Sequence, residues 1–222
     1  MLLALHTTSR GCHVAALHAD GSLKTATAPQ ASSALPSLAL ELTVELDGSP
    51  FAPDAIAVAC GPGSFTGIKI GLASAWGLAR PRRIPVLGVG SLDALVVAGR
   101  RQAGAVAGAA VAVCGAYATF VYAARFRCGI APEDVELEDE YLVGKPGEVL
   151  PPILKDSAAV FVEGTPLTDI AAPALAADSI VRVEPGVALA EAVARIAKSR
   201  DARSLRQQAR ALYLRADPAK AW

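Results

Sequence analysis

The residues best suited to chemistry lie in one glycine-rich segment of the chain. Residues 61–67 read Gly-Pro-Gly-Ser-Phe-Thr-Gly and follow a short apolar run. Such a turn before a helix can aim backbone N–H groups at an anion. The second glycine and Lys69 are wrongly spaced for a P-loop, however. The residues alone therefore favour a tight strand-to-helix corner in which Ser64 or Thr66 caps the helix.

Hydrolytic and metal-dependent sites find little support in the sequence. Ser64 is not in a nucleophile elbow, because Pro62 and Thr66 stand where that motif has glycines. The spacing of the three histidines matches no metal site, and the four cysteines form no CxxC pair: His6, His13, His18, Cys12, Cys60, Cys114 and Cys128. We expect reduced thiols, no metal and no cofactor. A Ser64–His6 pair is an alternative only if the fold brings the two together.

The elements that must position these residues alternate between strands and helices. In the first half, hydrophobic periodicity predicts strands over 2–7, 12–18, 22–28, 56–60 and 85–89, and helices over 35–46, 68–79 and 92–102. In the second half it predicts strands over 106–114, 119–126, 135–143 and 158–162, and helices over 148–154 and 187–197. The order repeats approximately. It predicts an α/β protein of two related lobes, residues 1–103 and 104–222.

The helix after the glycine-rich segment combines small and apolar residues. Gly67, Gly71 and Ala75 recur every four residues, a spacing that lets another backbone approach closely. Ile68, Leu72 and Trp76 form an adjoining stripe, and the earlier helix adds further leucines. Internal packing against the sheet is one interpretation, and a two-helix docking face is the other. The residues expected on that face are Leu35, Leu38, Leu42, Gly67, Ile68, Gly71, Leu72, Ala75 and Trp76.

Composition excludes several classes of function. Lys plus Arg and Asp plus Glu each total 21, so the net charge is zero. A protein that holds nucleic acid by bulk electrostatics would carry a basic excess. No run approaches the ~20 apolar residues of a membrane span, and the start lacks the basic leader of a signal peptide. We expect a cytoplasmic protein.

The segment from 61 to 71, Gly-Pro-Gly-Ser-Phe-Thr-Gly-Ile-Lys-Ile-Gly, resembles the hallmark GPGSFTGLRIG of the TsaB (YeaZ) family. The motif loop comprises Gly61, Pro62, Gly63, Ser64, Phe65, Thr66 and Gly67. Residues 84–89 with 91–95, Val121-Tyr122 and Tyr213-Leu214-Arg215 agree with the same family. The resemblance covers most of the first 125 residues and the extreme end, whereas residues 126–205 carry no marker.

The resemblance implies the duplicated two-lobe fold of the actin, hexokinase and sugar-kinase ATPases, which is ribonuclease H-like. Members of the family are needed to make threonylcarbamoyladenosine on tRNA, as scaffolds for the paralogous transferase TsaD. Docking in the family resembles a four-helix bundle built from the first two helices of each partner. The implied partners are TsaD in a heterodimer, the ATPase TsaE, a second copy of the chain, and tRNA only through the complex.

Three polar positions depart from the family pattern. His6 stands where the family usually keeps an Asp, and Gly115, Ala116 and Tyr117 stand where it usually shows Asp-Ala-Arg. Gln30-Ala31-Ser32 replaces its His-Ser-Glu. Without carboxylates Mg²⁺ lacks good oxygen ligands, so we expect a non-catalytic member. The alternatives are a peptidase-like enzyme and a small-molecule kinase in which Asp93 replaces the missing carboxylate.

The end of the chain is rich in basic residues: Arg195, Lys198, Arg200, Arg203, Arg206, Arg210 and Arg215. Glu191, Asp201 and Asp217 are the acidic residues among them. Such a stretch can touch the tRNA backbone in an assembled complex. It can equally be the solvated face of a helix, which is the commoner explanation.

Overall fold

The computed structural model describes residues 1–29, 34–47, 53–104, 107–117, 119–164, 180–200, 205 and 209–214. The chain forms two compact units. Unit 1 comprises Met1–Ala94 and Pro185–Leu212, and unit 2 comprises Leu95–Glu184 and the segment that starts at Tyr213. This differs from the predicted single division at residue 103, because the chain returns to unit 1 after residue 184.

Unit 1 is built on a five-stranded mixed sheet. Its strands are β1 (Leu2–His6), β2 (Cys12–Leu17), β3 (Leu23–Ala28), β4 (Ala55–Ala59) and β5 (Val86–Val89). Their order is β3-β2-β1-β4-β5. The first three form antiparallel hairpins, whereas β4 and β5 run parallel to β1. The wholly apolar run of β4 is typical of a strand covered on both faces.

Five α-helices lie within the described residues: α1 (Ala34–Asp47), α2 (Phe65–Ala79), α3 (Ser91–Ala103), α4 (Pro146–Leu154) and α5 (Val187–Ser199). In unit 1, α1 packs on β2 and β3, and α2 packs on β4. Leu3 and Leu5 share a core cluster with both helices. Alternate side chains point to opposite faces of a strand, so Ala4 and His6 lie on the other face, where α5 crosses β1 and β2.

Unit 2 repeats the strand order of unit 1. Its strands are β6 (Gly108–Gly115), β7 (Val121–Cys128), β8 (Val135–Leu137), β9 (Leu142–Gly144), β10 (Ala159–Glu163) and β11 (Ile180–Val183). The path is β11-β10-β6-β7-β8, with β9 also paired to β7. The predicted repeat of element order is thus confirmed. The predicted strand over 135–143 is two short strands, and β11 was not predicted.

Among the residues that the structure describes, no helix combines the length and apolarity needed to span a bilayer.

Candidate functional site

The glycine-rich segment is a tight corner between β4 and α2. Gly63 has a φ of +153°, and a Cβ added there would lie 2.5 Å from the carbonyl oxygen of Thr8. The Ser64 N–H donates to that same oxygen at 2.7 Å. Ser64 Oγ accepts a hydrogen bond from the Gly67 N–H at 3.2 Å, so Ser64, one of the two predicted candidates, caps the helix. Because of this cap α2 begins at Phe65, three residues before its predicted start.

The small residues of α2 face the interior of unit 1. A Cβ on Gly67 would overlap the carbonyl oxygen of Thr7, and one on Gly71 would overlap Thr7 Oγ1. Thr7 Oγ1 donates to the Gly67 carbonyl at 2.7 Å, and Ala75 is fully buried. These residues let α2 approach the end of β1. Their predicted role as partner contacts is therefore corrected: the close approach they permit is to the chain's own strand.

The other predicted docking residues divide into two groups. Leu35, Leu42 and Ile68 are buried within unit 1, so they cannot touch a partner without rearrangement, and this part of the prediction is also corrected. Leu38 and Leu72 are partly buried against the same core. Trp76 is 51% exposed. Three predicted residues are thus accessible in part or in full.

A row of larger residues follows the solvent side of α2. Phe65, Lys69, Leu72 and Trp76 are separated by four, three and four positions. Phe65 is 53% exposed, and Lys69 Nζ lies 3.9 Å from the centroid of its ring. The sequence analysis assigned Phe65 to the motif loop and did not include Phe65 or Lys69 in the docking face, because a helix starting at residue 68 leaves Phe65 in the loop. The 4-3-4 spacing is the signal that would have found them.

Helix α1 contacts α2 and adds exposed residues of its own, among them Leu40 and Glu41. Leu40 lies two positions from Leu38 and therefore on a different side of α1. We call the set Leu38, Phe65, Lys69, Leu72 and Trp76 the outer face of α1 and α2. Most large apolar side chains in this part of unit 1 are buried, which makes the two exposed aromatic rings stand out. Clustered exposed apolar residues mark interaction sites more often than scattered ones do.

The turn between β1 and β2 holds a buried polar cluster. His6 is 1% exposed, and its Nε2 lies 3.2 Å from Thr8 Oγ1. Thr8 Oγ1 also lies 2.9 Å from Ser91 Oγ, and Ser9 Oγ lies 3.5 Å from His6 Nδ1. Burial, assisted by the nearby His13, lowers the pKa of His6 to about 3. The ring is therefore neutral at physiological pH.

His13 faces His6 across the β1–β2 pair. The two residues are register partners, and their ring centroids are 6.2 Å apart. His13 Nε2 lies 2.8 Å from the Arg10 carbonyl oxygen, and Nδ1 lies 2.8 Å from Thr27 Oγ1. Burial lowers the pKa of His13 as well. The hairpin thus contains two histidines whose surroundings disfavour a charge.

The metal-bound nucleotide that the fold family implies does not fit this hairpin. Mg²⁺ prefers oxygen ligands, carboxylates above all, and the neutral ring of His6 occupies the position of the family's Asp. The hydroxyls of Thr7 and Thr8 are already bonded within unit 1. Across the described residues, no three His, Cys, Asp or Glu side chains are grouped so as to hold a metal.

The residues proposed for the enzyme alternatives are engaged elsewhere. In the described part of the chain, His6 bonds to Thr8 and Ser9, while Ser64 Oγ caps α2. The structure therefore gives no support to a Ser64–His6 pair. Asp93 accepts a hydrogen bond from Arg200 at 2.8 Å and is 7% exposed. This ion pair already neutralises the carboxylate invoked for a kinase.

The corresponding turn of unit 2, between β6 and β7, has aromatic residues. Tyr117 stacks on Phe120 with ring centroids 5.0 Å apart, and Tyr117 is half exposed. Neither carries the charge of the family's Asp-Ala-Arg. Gln30-Ala31-Ser32, the third departure from the family pattern, lies outside the described residues.

The basic residues near the end of the chain are partly engaged within unit 1. Arg195 pairs with Glu191 at 2.7 Å, and Lys198 Nζ donates to the Ala19 carbonyl at 3.3 Å. Arg200 holds Asp93, as described above. These contacts favour a structural role for the described residues. Arg203, Arg206 and Arg215 lie outside the described residues.

Comparison with known proteins places the chain among relatives of one fold. The family model described as "TsaD: tRNA N6-adenosine threonylcarbamoyltransferase" matches residues 22–202, more than half of the chain. A crystal structure of an uncharacterised protein from Pseudomonas aeruginosa with similarity to peptidase YeaZ superposes with a TM-score of 0.79. The two chains are 28% identical in sequence, and the match covers 96% of this chain and 99% of the Pseudomonas chain.

A second structure, YeaZ from Pseudomonas aeruginosa, is 27% identical with a TM-score of 0.74, covering 96% of this chain and 99% of that one. A polyphosphate/ATP-glucomannokinase from Arthrobacter is 15% identical with a TM-score of 0.50, covering 90% and 99% respectively. The glucomannokinase supports the fold alone and confirms the predicted sugar-kinase-like architecture.

An uncharacterised protein of Mycobacterium leprae is 42% identical over 77 residues, 35% of this chain. Another, from Mycobacterium tuberculosis H37Rv, is 55% identical over 42 residues, 19% of this chain. In both cases the match covers 20% of the relative's length. With the family model and both YeaZ structures in agreement, the chain belongs to the TsaD domain family and, within it, to the TsaB (YeaZ) proteins.

Proposed function

We propose that this protein is a non-catalytic subunit that docks on a TsaD-type transferase and supports the formation of threonylcarbamoyladenosine on tRNA. The observation that carries the proposal is the outer face of α1 and α2. There, half-exposed aromatic rings sit on a helix whose opposite side is tightly packed. The face is presented by two helices that pack on the sheet of unit 1 and share its core.

The chemistry of the outer face suits a protein partner. Phe and Trp each bury roughly 150–250 Å² when covered, and Trp is enriched among the residues that dominate binding energy. Phe65 and Trp76 lie at the two ends of the row along α2, with Leu72 between them. Two aromatic anchors on one short stretch of helix are enough to centre an interface.

The β1–β2 turn supports the non-catalytic part of the proposal. A neutral His6 stands in place of a carboxylate. The Thr7 hydroxyl is hydrogen-bonded to α2, and the Thr8 hydroxyl is hydrogen-bonded to Ser91. The turn anchors the corner before α2 through the bond from Ser64 to the Thr8 carbonyl. The polar groups of this turn thus hold α2 in place, and none of them is a carboxylate that could ligate a metal-bound nucleotide.

The wider assembly follows from the same role. We include the ATPase TsaE as a further partner, and we place tRNA contact at the level of the complex, since the net charge of the chain is zero. Self-association through the outer face would compete with docking of the transferase. A second copy is therefore expected to be displaced when the TsaD-type protein is present.

The test is a pull-down of the purified full-length chain with the TsaD-type protein of the same organism. Trp76→Ala is expected to reduce capture at least tenfold, as for a central aromatic anchor. Lys155→Met, an exposed position in unit 2, is the matched control and should change nothing. Equal capture by Trp76→Ala and the wild type would place docking elsewhere.

Two further measurements separate the parts of the proposal. Complementation asks whether the gene restores threonylcarbamoyladenosine in cells that lack their own copy, and we expect restoration that Trp76→Ala abolishes. Titration of the isolated protein with Mg-ATP should show no tight binding. Tight binding would contradict the non-catalytic role while leaving the docking surface untouched.

A further inference from the structure

We infer that residues 209–212 form a strap over the glycine-rich corner, and that this strap opens as a local unit while the sheet of unit 1 stays folded. In the closed state the strap covers the Cys60 thiol and the Cα of Gly61, and in the open state both are exposed. The two states are defined by contacts within unit 1 alone, so the strap is independent of the proposed function.

The strap is bonded to the residue that directly precedes the motif loop. The Leu212 N–H donates to the Cys60 carbonyl oxygen at 2.8 Å. A backbone hydrogen bond joins Arg210 to the Cys60 thiol, and Ala209 belongs to the same buried core cluster as Cys60. Both the backbone and the side chain of Cys60 therefore hold the strap in place.

Gly61 is the residue that lets the strap approach the corner. Its φ is +110°, and a Cβ added there would lie 2.6 Å from the Leu212 carbonyl oxygen. The same Cβ would lie 2.9 Å from Cδ1 of Ile68 in the first turn of α2. Gly61 is thus enclosed between the strap and α2, and opening of the strap would leave one side of the motif loop uncovered.

The strap is attached more weakly than the elements around it. In the part of the chain that the structure describes, none of residues 209–212 belongs to a helix or a strand. Arg210 is exposed, and Ala211 and Leu212 are half-buried, whereas the last four residues of β4 are buried. Segments with few buried apolar contacts open at a lower free energy than core strands do. We therefore expect the strap to open while β4 stays paired.

The Cys60 thiol changes its surroundings when the strap opens. In the closed state Cys60 is 4% exposed, and its Sγ donates to the Val58 carbonyl oxygen at 3.4 Å. Burial raises the pKa of this thiol to about 11, which suppresses the thiolate that reacts with alkylating reagents. Opening of the strap removes part of that burial. The rate of Cys60 alkylation therefore measures how often the strap opens.

The experiment labels the native full-length chain with iodoacetamide at mildly alkaline pH and follows each cysteine by peptide mass spectrometry. Cys12 and Cys114 are the internal references, because each is buried on a strand that is paired on both sides. We expect Cys60 to react at least about tenfold faster than either reference. Low concentrations of urea should accelerate the references more than Cys60, because a local opening exposes less surface than global unfolding does.

Two substitutions at one position separate the backbone contact from the side chain. Leu212→Pro removes the N–H that donates to the Cys60 carbonyl oxygen, and it should raise the rate of Cys60 labelling at least about tenfold. The rates of Cys12 and Cys114 should not change. Leu212→Ala keeps the N–H and is the matched control, with a Cys60 rate that changes by less than about threefold.

The strap is not a local unit if wild-type Cys60 reacts no faster than Cys12 and Cys114, or if all three respond equally to urea. The assignment of its anchor is overturned if Leu212→Pro labels Cys60 no faster than Leu212→Ala does. A Leu212→Pro chain that failed to fold would label all three cysteines together, and the urea response of the wild type would then decide.

Discussion

The two sides of α2 use similar residue spacings for opposite purposes. On the inner side, Gly67, Gly71 and Ala75 recur every four positions. The two glycines let the helix meet Thr7, which directly follows the chain's own first strand, and Ala75 is fully buried. On the outer side, Phe65 and Trp76 frame a row of large residues that solvent reaches. A stripe of small residues on a helix thus indicates that another backbone packs closely against it. The stripe does not indicate whether that backbone belongs to the same chain or to a partner.

The largest effect should come from filling the inner side. Gly67→Ala would place a methyl group on the Thr7 carbonyl oxygen. The clash is with the backbone, so either α2 or the segment around Thr7 would have to shift. We expect a loss of at least about 3 kcal/mol in the free energy of unfolding, which is the upper end of the usual cost of overpacking a core. Urea denaturation followed by circular dichroism measures it.

Gly77→Ala is the matched control for that change. Gly77 lies in the same helix, and a Cβ there would meet nothing within 4 Å. Ala is favoured over Gly in a helix by about 0.5–1 kcal/mol, so this variant should be neutral or more stable. Equal free energies of unfolding for Gly67→Ala and Gly77→Ala would contradict the distinction between the two sides of α2.

The second-largest effect should come from acid, which destabilises the turn that holds His6 next to the inner side of α2. The pKa of His6 is lowered to about 3 in the folded protein, whereas the unfolded chain titrates near 6.5. As the pH falls, the unfolded state binds a proton at His6 before the folded state does. The contribution of His6 to the free energy of unfolding is therefore complete above about pH 6.5 and falls as the pH drops toward 3. We expect a loss of about 2 kcal/mol by pH 5 from this group.

Denaturant titrations at pH 7, 6 and 5 measure that loss. The lowered pKa of His13 acts in the same direction, so the fall should not be shallower than His6 alone predicts. His6→Asn removes one titrating group and should flatten the dependence, whatever its stability at pH 7. An unchanged slope in this variant would show that His6 is not the source.

A smaller loss of stability is expected from a change at the corner between β4 and α2, where Ser64 caps the helix. Ser64→Ala removes the acceptor for the Gly67 N–H and should cost about 1 kcal/mol, as for other helix caps. Thr66→Ala, in the first turn of α2, is the control and should change stability by less than half of that. The reverse order in urea titrations would assign the cap to Thr66.

The smallest effect on folding belongs to the outer side. Trp76→Ala changes a half-exposed side chain, and we expect the free energy of unfolding to move by no more than about 0.5 kcal/mol. The same variant should capture less of the proposed TsaD-type partner. A variant as destabilised as Gly67→Ala would show that Trp76 is a core residue, and the comparison would fail.

Sequence reasoning reached the order of the elements because that order is a local property. Apolar periodicity and turn residues predicted the strands around His6 and Leu17, and the repeat in unit 2 followed from the same patterns. The strand β11 was missed because Arg182 interrupts its short run of β-branched residues, whereas the equally short β5 is wholly apolar. The division of the chain was missed because the return of α5 (Val187–Ser199) to the first sheet is a long-range event.

The site was harder to predict, because burial depends on packing that no local pattern records. Leu35 and Leu38 look alike in sequence, yet the first is fully buried and the second is partly exposed. Arg100 is another example, since its guanidinium is buried and donates to the carbonyls of Gly129 and Ala131. Its acceptors lie about thirty positions away in the chain.

The crossing of β1 and β2 by α5 has a consequence for synthesis. While a ribosome is still making residues 95–184, the finished part of unit 1 has strands but no cover on one side. Until Val187–Ser199 emerges, Ala4 and Leu17 of those strands are open to water or to a chaperone. Truncation just before residue 187 should therefore yield an aggregating fragment rather than a shorter folded protein.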